Sequence, residues 1–263
     1  MPELDVSVIG PAGDVDVRSR GPVDPDDRES ARAAVAGVVA RHRSAGAARL
    51  RLTCGPHAGC PAVIQVNLRV GGAPARIQVD GPTLPAAVAA ATDRLQRQIT
   101  RLETGWEPWP WPDPQRRTLA VPGPARITRR KVVPLRPRRA CQAGSMLAAM
   151  DYDVCLFTEL DTGEDAVVYR AGPTGLRVAR QHSMRPVTAN GTPTPTVNSR
   201  RTPVLTPDAA ATRLAEGWLP FLFFTDAADG RGALVYRRYD GGVGLLAPGD
   251  AARFPTLRAR PGE

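Results

Sequence analysis

The sequence predicts an α+β protein in three globular pieces. A four-stranded sheet with two helices on one face comes first, followed by two tandem small α/β units with β-meanders. Three observations carry this reading. Residues 63–70 alternate strictly, with Ile64, Val66, Leu68 and Val70 on one side and Gln65, Asn67 and Arg69 on the other, as in a strand with one buried face. Leu84, Val88, Ala91, Leu95, Ile99 and Leu102 recur at helical spacing. A short unit also occurs twice: Phe157-Thr158 returns as Phe224-Thr225, Gly163 as Gly230, and Val168-Tyr169-Arg170 as Val235-Tyr236-Arg237, every pair offset by 67 residues.

The elements follow in order. Residues 4–9 and 14–18 are candidate first strands. Asp24 caps a helix with Pro25 at its first position and acidic residues in its first turn. Ala31, Ala34, Val35, Val38 and Val39 form its apolar stripe, and Arg28 and Arg32 lie off it. Residues 49–53 read as a strand, and Gly71-Gly72 permits a tight hairpin between residues 63–70 and 75–79. The second helix starts near Thr83 and leaves Arg94, Arg97 and Arg101 along another side. Each repeat reads as an extended segment, a helix (141–150 and 207–216) and a three-stranded meander.

Two Pro-rich stretches, 105–125 and 181–198, divide the chain, because proline removes donors that helices and sheets need. The expected organisation is a domain over 1–104, a Pro/Trp-rich basic linker over 105–127, unit 1 over 128–180, a linker over 181–198, unit 2 over 199–250 and a tail over 251–263. A unit of this size buries little surface alone and calls for a partner.

The net charge of +9 is unevenly spread. Residues 1–105 carry 13 basic and 11 acidic side chains, 106–140 carry nine and two, and 141–263 carry 13 of each. The positive field is concentrated in the connector, which suits a polyanionic partner. Nearly all the cations are arginines, which contact phosphates bidentately; Lys131 is the only lysine. The three tryptophans of residues 106–112 could stack on bases or fold back on the first domain.

Several chemistries find no support. Cys54, His57 and Cys60 in "CGPHAGC" lack a zinc spacing and a fourth ligand, so a plain loop is expected over a metal or redox site. His42 and His182 have no catalytic neighbours in sequence, and no phosphate-binding glycine loop occurs. We therefore expect no enzyme, cofactor or metal. No apolar run of membrane-spanning length and no signal pattern is found, which leads to the expectation of a cytoplasmic protein with no membrane partner.

The stretch "ARIQVDGPTLPAAVAAATDRLQRQITRLE" (75–103) resembles the last strand and second helix of ribosome hibernation-promoting factors. "RKVVPLRP" followed by "MDYDVCLFTELDTGEDAVVYR" resembles the C-terminal domain of their long forms. Two C-terminal-type units, Arg-rich composition and the Trp-Pro linker are most similar to the mycobacterial, dormancy- and hypoxia-associated branch. The resemblance implies a β-α-β-β-β-α first domain that docks in the decoding region of the 30S subunit, against 16S rRNA and ribosomal proteins, where mRNA and tRNA would lie. It places rRNA contacts on Arg28, Arg32, Arg94, Arg97 and Arg101, with Arg116, Arg117, Arg129 and Arg130 available beyond them.

In long-form relatives the single C-terminal unit pairs with that of another chain and joins two 70S ribosomes into a 100S particle. Here a second unit is already tethered. A flexible linker of 18 residues spans roughly 5–6 Å × √18, about 23 Å, and a short tether gives an effective concentration on the order of mM. We therefore expect intramolecular pairing through Phe157, Phe221, Phe223 and Phe224, and action on single 70S ribosomes. A 100S-forming factor and a protein-interaction regulator of transcription are the alternatives.

Overall fold

A computed structural model describes residues 14–55, 60–105, 113, 119, 123–171, 175–188 and 194–249. The candidate strand 4–9, His57, the tryptophans of residues 106–112, Arg116, Arg117 and the tail from 250 lie outside the described residues. The chain is α+β, and the described strands form three sheets.

The first sheet contains β1 (Val15–Arg20), β2 (Ala48–Thr53), β3 (Ala62–Val70) and β4 (Ala73–Gly81) in that spatial order. β1 runs parallel to β2, and the other pairs are antiparallel. Helix α1 (Pro25–Val39) lies between β1 and β2, and α2 (Leu84–Thr104) follows β4. The Asp24 carboxylate accepts from the Asp26 N–H, and Thr83 Oγ1 caps α2 by accepting from the Ala86 N–H. Gly71 and Gly72 both have positive φ, +56° and +80°, so the β3–β4 turn takes a twist that side chains disfavour. Leu50, Leu52, Ile64, Val66 and Ile77 meet Val35, Val39, Leu95 and Ile99 in one core, which puts both helices on one face. Each such buried side chain contributes about 1.5–3 kcal/mol. Strand alternation puts Arg18, Arg49, Arg51 and Arg76 on the opposite face.

The repeats are less separate than contiguous units would be. Unit 1 contains β5 (Ile127–Pro134), β6 (Pro137–Arg138), α3 (Ala140–Ala149), β7 (Val154–Glu159), β8 (Asp165–Arg170) and β9 (Leu176–Arg180). The second repeat opens with β10 (Thr196–Val197), at the end of the 181–198 segment, and unit 2 contains β11 (Val204–Leu205), α4 (Pro207–Glu216), β12 (Phe221–Asp226), β13 (Gly232–Arg237) and β14 (Val243–Gly249). The sheets are ordered β10-β9-β8-β7-β6 and β11-β12-β13-β14-β5. Each repeat thus gives its first strand to the other's sheet: β5 pairs parallel with β14, and β10 with β9. β5 therefore hydrogen-bonds to a strand that lies beyond the 181–198 segment, and β10, inside that segment, hydrogen-bonds back to β9. The segment 181–198 is likewise more than a tether, since Gln181 is buried and Val197 sits in β10.

Both faces of each meander are covered. Phe157, Ala166 and Val168 pack on Ala143 and Leu147 of α3, while Phe224, Ala233 and Val235 pack on Ala210 and Leu214 of α4. On the reverse faces, Leu156, Val167 and Ala179 meet Phe223 and Leu234, with Tyr169 and Phe221 alongside. This corrects half of the expected aromatic contact. Phe221 and Phe223 lie between the sheets, but Phe157 and Phe224 face their own helices. They are one step along the strand from Leu156 and Phe223, and one step turns a side chain to the other face.

Candidate nucleic-acid interface

α3 and α4 end at the same repeat position with a non-glycine residue at positive φ, Asp151 (+50°) and Trp218 (+49°). At Asp151 the conformation has a use. Its carboxylate accepts from Arg94 Nε at 2.9 Å and Nη2 at 2.7 Å, and from the Gln78 N–H of β4 at 3.1 Å. Asp113 accepts from the same Arg94 Nη2 at 2.8 Å. Gln98 donates to the carbonyls of Ala148 and Ala149, both at 2.8 Å, and Arg76 donates to that of Met150 at 3.1 Å. The last carbonyls of α3 are therefore capped by donors from the first domain, with cations at the negative end of the helix dipole. Arg76 also lies 5.1 Å over the Tyr152 ring.

This seam removes Arg94 from the expected rRNA-contacting set. Its side chain is 0% exposed, held by two carboxylates. Helical spacing correctly sets it off the apolar stripe, but a second domain covers that side. Burial and its carboxylate partners act oppositely on Arg94, and its pKa is raised. The other expected residues scatter. Arg28 is exposed and donates to the Val17 carbonyl at 2.9 Å. Arg32 forks onto Glu29, a hydrogen bond that raises the guanidinium and lowers the carboxyl. Arg97 pairs with Asp93, and Arg101 is half-buried. Arg129 and Arg130 are exposed on β5, with Arg130 3.8 Å from Asp208.

Cations converge instead at Lys131 on β5. Burial pushes its ammonium down to about 8, and the fields of Arg129, Arg76, Arg238 and Arg51 push the same way. These residues come from the open face of the first sheet, from β5 and from the turn after β13. Arg238 already forks onto Asp240 and Arg76 donates to the Met150 carbonyl, so the charges offered to an anion are chiefly those of Arg51, Arg129 and Lys131. The sequence pattern contained part of this signal: Arg49 and Arg51 alternate with Leu50 and Leu52, so they had to face away from the core. Bringing β5 to that face is a tertiary event that periodicity does not encode.

Cys54 and Cys60 are free, and burial raises the Cys54 thiol. Among the described residues, no group of three or more His, Cys, Asp or Glu side chains could hold a metal. No described helix is long and apolar enough to cross a membrane.

Fold and site define a basic α+β protein whose cations gather where an N-terminal domain meets a pair of exchanged-strand repeats. Residues 123–178 match the family described as sigma 54 modulation/S30EA ribosomal protein C terminus. The chain is 49% identical over 248 residues to the dormancy associated translation inhibitor of Mycobacterium tuberculosis, in two strains, covering 89% of this chain and 88% of that protein. It belongs to this S30EA-type ribosome hibernation family. Among solved structures, a ribosomal subunit interface protein from Coxiella burnetii aligns at 10% identity with a TM-score of 0.29, covering 35% of this chain and 98% of that one.

Proposed function

We propose that this protein is a non-enzymatic inhibitor of translation that works in the cytoplasm on 70S ribosomes. Its N-terminal domain occupies the decoding region of the 30S subunit, against 16S rRNA and ribosomal proteins, and excludes mRNA and tRNA. The observation that carries the reading is the set of Lys131, Arg51 and Arg129, positive charges suited to phosphates, with the internally paired Arg76 and Arg238 adding to the same field. Family membership supports it, since the relatives are named as translation inhibitors. The C-terminal units pair within one chain and leave no free unit to join a second ribosome. Support comes from the exchanged strands β5 and β10 and from the apolar cluster between the sheets.

The test is a purified translation reaction in which 70S ribosomes meet the full chain before mRNA and tRNA. Synthesis should fall steeply near one equivalent of protein. Ribosomes already loaded with mRNA and tRNA should resist. Undiminished synthesis at excess protein, or equal inhibition of loaded ribosomes, would overturn the proposal.

A further inference from the structure

We infer that the seam between the repeats is heterotypic by construction: it fits unit 1 to unit 2 and rejects unit 1 against a second copy of unit 1. The inference rests on the reading that the two units pair within one chain.

The centre of the seam is a pair of equivalent positions. Asp165 and Gly232 are related by the repeat offset of 67 residues. They face each other so closely that a Cβ added at Gly232 would stand 2.6 Å from the Cβ of Asp165. The same atom would stand 2.9 and 3.0 Å from the Phe223 ring, so Gly232 is hemmed in by Asp165 across the seam and by Phe223 on its own strand pair. Asp165 is buried, and its carboxylate is fully used. It accepts from the Gly232 N–H at 3.0 Å, from Arg231 Nε at 2.7 Å and Nη2 at 3.2 Å, and from Thr158 Oγ1 at 3.0 Å. Arg231 is the repeat counterpart of Glu164. A second copy of unit 1 would thus present an aspartate where there is no room, and a glutamate in place of the guanidinium. Buried carboxylates facing one another without a cation are strongly disfavoured.

Two further asymmetries mark the seam. Gln181 Nε2 crosses it to Thr225 Oγ1 at 3.1 Å and to the Gly230 carbonyl at 2.8 Å. Its counterpart is Pro248, which has no donor, so two copies of unit 2 would lose this contact, whereas Thr158 and Gly163 would repeat its acceptors in a second unit 1. Side-chain volume is divided as well. Val154, Leu156, Val167 and Ala179 of unit 1 correspond to Phe221, Phe223, Leu234 and Leu246 of unit 2, larger at every position. Phe221 stands edge-on to Tyr169 with ring centroids 5.5 Å apart. Two copies of unit 1 would leave gaps, and two copies of unit 2 would overfill the space while separating Arg231 from its acceptor. A chain ending before residue 181 would accordingly expose a face that a second copy does not fit, rather than gain a dimer.

The experiment uses the full chain without ribosomes and reads hydrogen-exchange protection of the β8 and β13 amides. Gly232→Asp should lower protection on the order of 100-fold, as expected for a clash joined to an unpaired buried carboxylate. Asp165→Gly together with Phe223→Leu, the residue unit 1 carries at that repeat position, removes both groups that crowd residue 232 and should restore at least about tenfold of that loss. The milder Gly232→Ala, with and without those two changes, gives the same comparison if Gly232→Asp does not fold. A rescued variant no better protected than its Gly232 parent would overturn the inference. A failed rescue with inhibition of 70S ribosomes intact removes the heterotypic seam alone. A 100S product with rescue intact removes the single-ribosome reading alone.

Discussion

Asp151→Ala is expected to lose about 3–5 kcal/mol at the joint between the first domain and unit 1, the size seen when one partner of a buried ion pair is removed. Arg94 and Asp151 have 0% exposed side chains, so no solvent replaces the lost carboxylate. Asp113 still accepts from Arg94 Nη2, and Gln98 still caps α3, which puts the effect toward the lower end. Part of the loss has a separate origin, because Asp151 has φ +50° and alanine tolerates that region less well. Asp151→Gly separates the two causes by accepting the backbone while lacking the carboxylate. Urea unfolding followed by near-ultraviolet circular dichroism should show both variants well below the parent, with glycine the less affected. Both variants unfolding within about 0.5 kcal/mol of the parent, a change typical of an unimportant surface site, would show that the joint does not depend on this pair.

The second large effect is on binding. Replacing Arg51, Arg129 and Lys131 with alanine should reduce the log–log salt slope for rRNA binding by about two units, at roughly 0.7–0.9 per phosphate contact. Affinity should fall on the order of 100-fold. The pH dependence has a defined sign. The Lys131 pKa is depressed to about 8 in the folded chain, so its desolvation penalty is present below that pH and is relieved as pH rises from 8 toward the unfolded value. A bound phosphate favours the charged form, so binding takes up a proton near pH 8 and weakens between pH 7 and 9. Lys131→Arg should keep the affinity at pH 7 and flatten that decline. A slope unchanged in the triple variant would place the contacts elsewhere.

Much of the architecture was legible because it depends on local pattern. The alternation of residues 63–70, the caps at Asp24 and Thr83 and the recurring meander each reflect one element burying one face. What the sequence hid depends on which elements meet. β10 is two residues long in a stretch rich in proline and threonine, so nothing local marks it as an edge strand of unit 1's sheet. "DAVVYR" and "GALVYR" are apolar on both faces, and sequence alone does not say which face meets the helix. That ambiguity misplaced Phe157 and Phe224. Arg94 was misassigned for a similar reason: helical spacing separates an apolar stripe from the rest, but does not distinguish solvent from a second domain. The cluster around Lys131 draws on separate segments of the chain, none conspicuous alone.

Sedimentation of 70S ribosomes with the full chain through a sucrose gradient, tracking protein and particles together, tests the central claim most directly. The account predicts that the protein migrates with 70S particles, that raising salt releases it, and that no 100S peak grows. A dominant 100S peak, or protein left at the top of the gradient at low salt, would contradict it.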